Sequence, residues 1–208
     1  MFTEIDLKTW PRKNTYEFFR DFEDPFFNFT ANLDVTAFYP FCKKNDLSVS
    51  LAILFYVLVA VNEIREFRLR ILDGRLIEVD RIHATQTILN EDETFSFAYF
   101  EMQPDVFLFN TAGLESIAKY KQLKTFDVES GRIDLIYCSA IPWVSFTSFK
   151  HASRFDRMQT IPRIVFGKMF EDGAVRRMPL SVEANHMIMD GIHVGKLFNR
   201  VQELISHL

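Results

Sequence analysis

Apolar and polar positions alternate along the chain in ways that predict both strands and helices. Residues 27–35 (FNFTANLDV) alternate strictly, which predicts a strand with one apolar face. Residues 48–67 are apolar almost throughout and indicate a long buried helix capped by Ser48. The most apolar run, 51–61, falls far short of the ~20 residues that a membrane span needs. Residues 192–208 carry apolar side chains at helical spacing, which predicts an amphipathic helix.

The same patterns predict two further helices and several further strands. The helices cover 15–22 and 104–121, and the strands cover 68–71, 76–79, 85–89, 95–102, 133–140, 163–170 and 175–185. Helices and strands are mixed irregularly, and no repeat or Pro/Gly/Ser linker interrupts them. The predicted fold class is therefore α+β (mixed α/β), with a mixed central sheet flanked by helices in a single domain over residues 1–208.

Composition narrows the class of partners. The net charge is −4 and no dense run of Lys and Arg occurs, which speaks against nucleic acid as a partner. Cys42 and Cys138 lie far apart and match no metal-ligand spacing, so we expect two buried free thiols and no metal. Residues 1–6 are acidic and lack the pattern of a secretory signal. We therefore expect a cytoplasmic protein with no membrane association.

One segment, residues 185–195 (NHMIMDGIHVG), combines residue types that suit chemistry. His186 precedes Asp190-Gly191 by four residues, and an imidazole can take up and return a proton near neutral pH. Asp190 would be an N-cap, and Gly191 would allow close backbone approach. This pattern predicts an enzyme with His186 as a proton acceptor, and the alternative is a core histidine beside a helix cap.

Further segments, spread over nearly the whole chain, carry a family resemblance. They are WPRK at 10–13, SAIPWVSFTSF at 139–149, MPLSV at 178–182, and the stretch from His186 through Asn199 to Gln202. The His-x-x-x-Asp-Gly spacing is shared by several coenzyme A acyltransferase families, whereas the segment 139–149 is far more specific. The chain resembles the trimeric chloramphenicol acetyltransferases of bacteria, which include antibiotic-resistance enzymes.

The resemblance implies an enzyme that transfers acetyl from acetyl-CoA to a hydroxyl of a small molecule such as chloramphenicol. It implies that His186 is the general base and that the Ser139 hydroxyl donates to the oxyanion, without a covalent acyl-enzyme. It also implies that Asp190 pairs with Arg12 and supports the catalytic loop. We do not expect Asp190 to orient His186 as in a protease triad. The family assembles as a homotrimer with active sites at subunit interfaces.

The resemblance further implies an acceptor pocket and a coenzyme site. The pocket positions are Phe19, Glu23, Phe27, Phe95, Phe149, His151, Arg163 and Val165, and the coenzyme positions are Trp143 and Lys168. Glu23, His151 and Arg163 stand where the family has apolar residues, and Val165 stands where it has a threonine. Because polar groups are costly to bury unpaired, these departures predict either a mutual network or a more polar acceptor.

The coenzyme positions also depart from the family. Ser50 and Met169 stand where two tyrosines flank the adenine, and basic residues would have to attract the phosphates. The candidates for that role are Lys150, Lys168, Arg176 and Arg177. Three hypotheses follow: acetylation of chloramphenicol, acetylation of a different and more polar acceptor, or a non-catalytic relative that binds a small ligand.

Overall fold

The computed structural model describes residues 1–123, 129, 131–152, 156 and 158–208. Helices α1 to α5 span Lys13–Phe19, Phe38–Lys44, Val49–Glu63, Val106–Leu123 and Gly191–Ser206. Strands β1 to β10 span Phe2–Glu4, Phe26–Asp34, Leu69–Leu72, Arg75–Val79, His83–Leu89, Phe95–Phe100, Leu135–Ile141, Arg163–Gly167, Phe170–Asp172 and Val175–Asn185. A 3-10 turn, Arg65–Arg68, follows α3.

Within these described ranges the strands form two sheets. The smaller sheet has the order β1-β4-β3, and the larger has the order β2-β10-β8-β7-β5-β6, with β9 paired to β10. Strand β7 runs parallel to both of its neighbours, whereas the other pairs are antiparallel. The predicted α+β class with a mixed central sheet is confirmed.

Most predicted elements are present, and the differences have local causes. The helix predicted over 48–67 ends at Glu63, after which the chain tightens into the 3-10 turn. Helix α2 was not predicted because it contains Pro40, although proline is tolerated in a first turn. Strand β1 has three residues, too few for a periodic pattern. In the described part of the chain, no helix has both the length and the apolar character to cross a membrane.

The two faces of the larger sheet carry different side chains. Helices α3, α4 and α5 cover one face, the helix face, where Ala84, Ile164 and Val182 are fully buried. On the other face, the cavity face, Ser139 lies opposite Val165 of the next strand, and Val165 lies opposite Ser181. Because successive side chains of a strand point to opposite faces, this register assigns every residue of β2, β7, β8 and β10 to one face.

Candidate active site

His186 lies in a tight turn between β10 and α5. The amides of Ile188 and Met189 donate to the carbonyl of Asn185 at 3.1 and 3.2 Å, which closes the turn. The His186 amide donates to the Pro25 carbonyl at 2.9 Å, which ties the turn to the chain just before β2. The turn returns the chain so that Asp190, the N-cap of α5, lies beside His186.

Asp190 contacts both Arg12 and His186. Its Oδ2 accepts from Nη1 of Arg12, and its Oδ1 lies 3.2 Å from Nδ1 of His186. The hydrogen bond from Arg12 holds the pKa of the Asp190 carboxyl below its usual range. A carboxylate can only accept, so Nδ1 of His186 carries the proton and Nε2 of the neutral ring keeps its lone pair. Nε2 is therefore the atom that can act as a base.

The pairing of Asp190 with Arg12 agrees with the sequence prediction. The turn also brings the Asp190 carboxylate to the His186 ring across four residues, a contact that was not predicted. The sequence signal for this contact was the His-x-x-x-Asp spacing itself. It was interpreted as a helix cap, since an aspartate before Gly191 commonly serves that purpose.

Two aromatic rings enclose the His186 imidazole. Phe19 stacks on one side with ring centroids 4.5 Å apart, and Phe27 stacks at 4.0 Å. Both residues were predicted for the acceptor pocket, and the structure assigns them to the surroundings of the base. Phe18, Phe29 and Ile192 extend an apolar surface close by, with 64%, 46% and 64% of their areas exposed. We call this exposed set, together with Phe22, the apolar rim.

Ser139 lies on β7 and faces a cavity of about 510 Å³. Its Oγ is 3.0 Å from Oγ1 of Thr87, within hydrogen-bond distance. The lining includes Thr85, Thr87, Phe95, Tyr137, His151 and Arg163. Thr87 was not predicted because it is 52 residues from Ser139 in sequence, and sheet register alone brings the two strands together. A hydroxyl fixed by a neighbour is suited to donate a hydrogen bond in one direction.

The remaining pocket positions lie in different surroundings. Val165 is fully buried between β7 and β10, Phe149 packs against His151 with ring centroids 4.9 Å apart, and Glu23 is exposed. His151 borders the cavity, and its buried Nδ1 has no hydrogen-bond partner among the described residues. Burial and the nearby Arg163 charge lower the pKa of His151 to about 4, so its ring is neutral at physiological pH.

Arg163 forms a buried ion pair with Glu183. The two residues are 5% and 3% exposed and lie directly opposite each other on β8 and β10. Nη1 of Arg163 donates to Glu183, and its guanidinium lies 4.7 Å from the Phe26 ring centroid. The Arg163 charge is therefore compensated by Glu183, which was not among the three residues expected to form a mutual network, and Glu23 of that expected set is exposed. Glu183 was not predicted because cross-strand pairing connects it to Arg163.

Replacing Arg163 with leucine should destabilise the protein by about 3–5 kcal/mol, because Glu183 would be left as a buried charge without its partner. Unfolding in urea or by heat measures this change. The double variant Arg163→Leu/Glu183→Leu removes both charges and should recover most of the lost stability. A single-variant loss below about 1 kcal/mol would contradict the assignment of a buried pair.

The predicted coenzyme residues, Trp143 and Lys168, lie just beyond the C-terminal ends of β7 and β8. Trp143 is 60% exposed in the turn after β7, and the Lys168 amide donates to the Val144 carbonyl at 3.0 Å. A cavity of about 300 Å³ lies here, and Ser50, Lys168 and Met169 all contribute to its wall. The two positions that depart from the family therefore share one cavity with the predicted lysine.

Three of the four basic residues predicted to attract phosphates are engaged with carboxylates. Arg176 pairs with Glu171 at 2.7 Å, Arg177 with Asp172 at 2.6 Å, and Lys150 with Asp24 at 3.1 Å. Their positive charges are locally compensated, which weakens any attraction for a polyanion. Lys168 is the remaining candidate, and it is exposed.

His186 and Ser139 lie on opposite faces of the sheet. Asn28 faces Ser181 on the cavity face, with Nδ2 donating to Oγ at 2.9 Å, so the preceding Phe27 points to the helix face with His186. His186 is five residues beyond Ser181, about 16 Å along the strand, and two strand spacings of ~4.8 Å separate β10 from β7. In catalysis, the base and the oxyanion donor must each lie about 3 Å from the same reacting group. His186 and Ser139 of one chain are too far apart to meet this requirement.

Among the described residues, no group of three His, Cys, Asp or Glu side chains is arranged to hold a metal ion. The two cysteines of the chain are buried free thiols, as predicted. Burial raises the pKa of the Cys138 thiol, which keeps it protonated next to Ser139.

Solved structures with the same fold define the class of protein. A chloramphenicol acetyltransferase superposes with a TM-score of 0.89 at 27% identity, covering 99% of this chain and 100% of that one. The dihydrolipoamide acetyltransferase of Azotobacter vinelandii gives a TM-score of 0.69 at 16% identity, covering 93% and 85%, which shows the shared fold. The chain has the fold of an acetyltransferase.

Sequence relatives identify the family. The profile described as chloramphenicol acetyltransferase matches residues 1–202. A chloramphenicol acetyltransferase of Escherichia coli is 31% identical over 204 residues, covering 97% of this chain and 93% of its own length. One from Clostridium perfringens is 30% identical, covering 99% and 95%. The chain belongs to the chloramphenicol acetyltransferase family, and it is an acetyl-CoA-dependent O-acetyltransferase.

Proposed function

We propose that this protein transfers the acetyl group of acetyl-CoA to a hydroxyl of chloramphenicol or a similar small acceptor. The observation that carries the proposal is the His186 imidazole, whose Nδ1 is held by Asp190 and whose Nε2 keeps a lone pair. The rings of Phe19 and Phe27 stack on it and fix its plane. A base needs this combination of a fixed tautomer and a fixed direction.

The reaction follows from these roles. Nε2 of His186 takes the proton of the acceptor hydroxyl, and the oxygen attacks the thioester carbonyl of acetyl-CoA. The Ser139 hydroxyl donates to the oxyanion of the tetrahedral intermediate, which one such donor stabilises by about 3–4 kcal/mol. The carbon–sulfur bond then breaks, and the coenzyme A thiolate takes the proton from His186. The ester is released, and the enzyme returns to its starting state.

We infer that the active site forms between two copies of the chain in a homotrimer. Support comes from the opposite faces on which His186 and Ser139 lie, because a second copy can present its Ser139 cavity to the first copy's His186. The apolar rim gives a second line of support, because its exposed aromatic side chains surround the base. A heterologous contact that repeats around a three-fold axis closes into a ring.

A mixture of two inactive variants tests the shared site. His186→Ala chains keep Ser139, and Ser139→Ala chains keep His186, so each pure trimer lacks one group at every site. In trimers assembled at random from equal amounts, about a quarter of the interfaces combine both intact groups. Co-refolded mixtures should therefore regain about a quarter of wild-type activity. No gain over the pure variants would contradict a site between chains, and the separately refolded variants are the control.

The acceptor is tested by direct assay. The enzyme is incubated with acetyl-CoA and chloramphenicol, and the released thiol is followed with a chromogenic disulfide. Thiol release that requires both substrates and His186 supports the proposal. A rate equal to that without chloramphenicol would contradict chloramphenicol as the acceptor while leaving the chemistry open to a panel of other hydroxyl compounds.

One observation favours a second candidate acceptor. His151 lies at the cavity that also holds Ser139, and no described residue pairs with its Nδ1. A neutral imidazole can exchange a hydrogen bond with a ligand. An acceptor with a polar group at this position would be preferred over chloramphenicol. Comparing kcat/KM across the panel in wild type and His151→Leu separates the two candidates. We also expect a cytoplasmic location, since free thiols suit a reducing compartment.

A further inference from the structure

His193 lies in the first turn of α5 and makes two contacts that the catalytic scheme does not use. The backbone N–H of Asp190 donates to its Nδ1 at 2.8 Å, and its Nε2 lies 3.4 Å from Oε1 of Glu66. The side chain is buried, with 7% of the residue exposed. Because Nδ1 accepts, the proton of the neutral ring is on Nε2 and points toward Glu66 on the 3-10 turn.

The contact is one half of a capping box at the N-terminus of α5, and the other half joins the Asp190 side chain to the His193 backbone. A helix N-cap aspartate normally uses its carboxylate to accept from the amides of the first turn. Here the Asp190 carboxylate is also engaged by Arg12 and His186. His193 stands at the third helical position, where a glutamate or glutamine commonly reaches back to the N-cap amide. Its imidazole therefore fixes the backbone of Asp190 while the Asp190 side chain serves the active site.

We propose that His193 is a positioning residue for His186, acting through the backbone of Asp190. The chain of contacts runs from Glu66 through His193 to Asp190 and on to Nδ1 of His186. The inference rests on the proposed role of His186 as the base. A small displacement of Asp190 would turn the imidazole away from the attacking hydroxyl, and misplacements of this kind cost on the order of 10- to 100-fold in rate.

Protonation of His193 would remove its acceptor atom. The charged groups that face it are Glu66 on the 3-10 turn, Arg12 before α1, and Asp190 and Lys196 on α5. Burial lowers the pKa of His193 below its ordinary value. The neutral, accepting form is therefore present at neutral pH and is lost as the pH falls below the ordinary range of an imidazole.

Two variants of nearly equal size separate positioning from packing. Glutamine at position 193 keeps an acceptor that can reach the Asp190 amide, whereas methionine fills the same space without one. We expect His193→Met to lower kcat by roughly 10-fold or more with KM for both substrates unchanged. We expect His193→Gln to stay within about threefold of wild type. The assay is thiol release with chloramphenicol, or with whichever acceptor gives the fastest His186-dependent rate.

The pH profile supplies a readout that a packing role would not change. On acidification, kcat/KM of wild type should show an additional fall of about 10-fold that His193→Gln lacks, because only wild type loses its acceptor at position 193 by protonation. Equal kcat for the two variants overturns the proposal, and, if the methionine variant does not fold, so do superimposable acid pH profiles of wild type and His193→Gln. Loss of the proposed function is a separate result, in which wild type and His186→Ala have the same rate.

Discussion

His186→Ala should lower kcat/KM for acetyl transfer by on the order of 10²- to 10⁴-fold, which is the range attributed to general bases. The loss should fall mainly on kcat, since the side chain takes part in the proton transfer. Initial rates of thiol release at saturating acetyl-CoA measure it. We expect a large effect because Asp190 engages Nδ1 of His186, and the lone pair on Nε2 is then free to accept the proton of the acceptor hydroxyl.

His207→Ala is the matched control for this variant. His207 is an exposed histidine at the C-terminal cap of α5, and the same substitution there should leave the rate within experimental error of wild type. A His186→Ala enzyme with wild-type kcat/KM would exclude His186 as the base. The thermal midpoint should be recorded for both variants, since removing a ring that stacks on Phe19 and Phe27 also removes packing.

Ser139→Ala should lower kcat by on the order of 10²- to 10³-fold while KM changes little, because the hydroxyl is needed most where charge develops on the oxyanion. The separate determination of kcat and KM for acetyl-CoA and acceptor measures this split. The variant also leaves Thr87 without its hydroxyl partner, which should lower the free energy of unfolding by about 1 kcal/mol. An unfolding experiment measures that change separately from the change in kcat.

Ser206→Ala provides the comparison for the serine variant, because Ser206 is exposed at the end of α5 and its side chain bonds to Gln202 of the same helix. A fall in kcat/KM caused entirely by a higher KM would mean that Ser139 binds a substrate in its ground state. The role of oxyanion donor would then be rejected, while the role of His186 would stand.

The fold was predictable wherever the side-chain pattern is local. Strict alternation in residues 27–35 predicted β2 and already separates Phe27 and Phe29 from Asn28 and Thr30. Continuous apolar character in 48–67 predicted α3, whose side chains are buried on nearly all sides. Strand β1 was not predicted because it is too short to show a periodic pattern, and helix α2 was not predicted because it contains proline.

The candidate site was predictable in part. The residue types at positions 12, 139, 186 and 190 are informative through family resemblance and motif spacing, and the Arg12–Asp190 pair has the partners expected. The partners of Arg163 and Ser139 were not predictable. Glu183 pairs with Arg163 of the neighbouring strand, and Thr87 contacts Ser139, which is 52 residues away in sequence. No local sequence pattern connects either pair.

The sequence by itself determined the elements, the mixed class and the residues that could carry acid–base chemistry, because periodicity and residue type are local properties. The tertiary structure alone decided how those residues are arranged. Strand register puts Ser139 and His186 on opposite faces of one sheet, and the turn after β10 brings Asp190 to His186 and its backbone amide to His193. Register and turns depend on contacts between distant segments, which one strand's sequence does not encode.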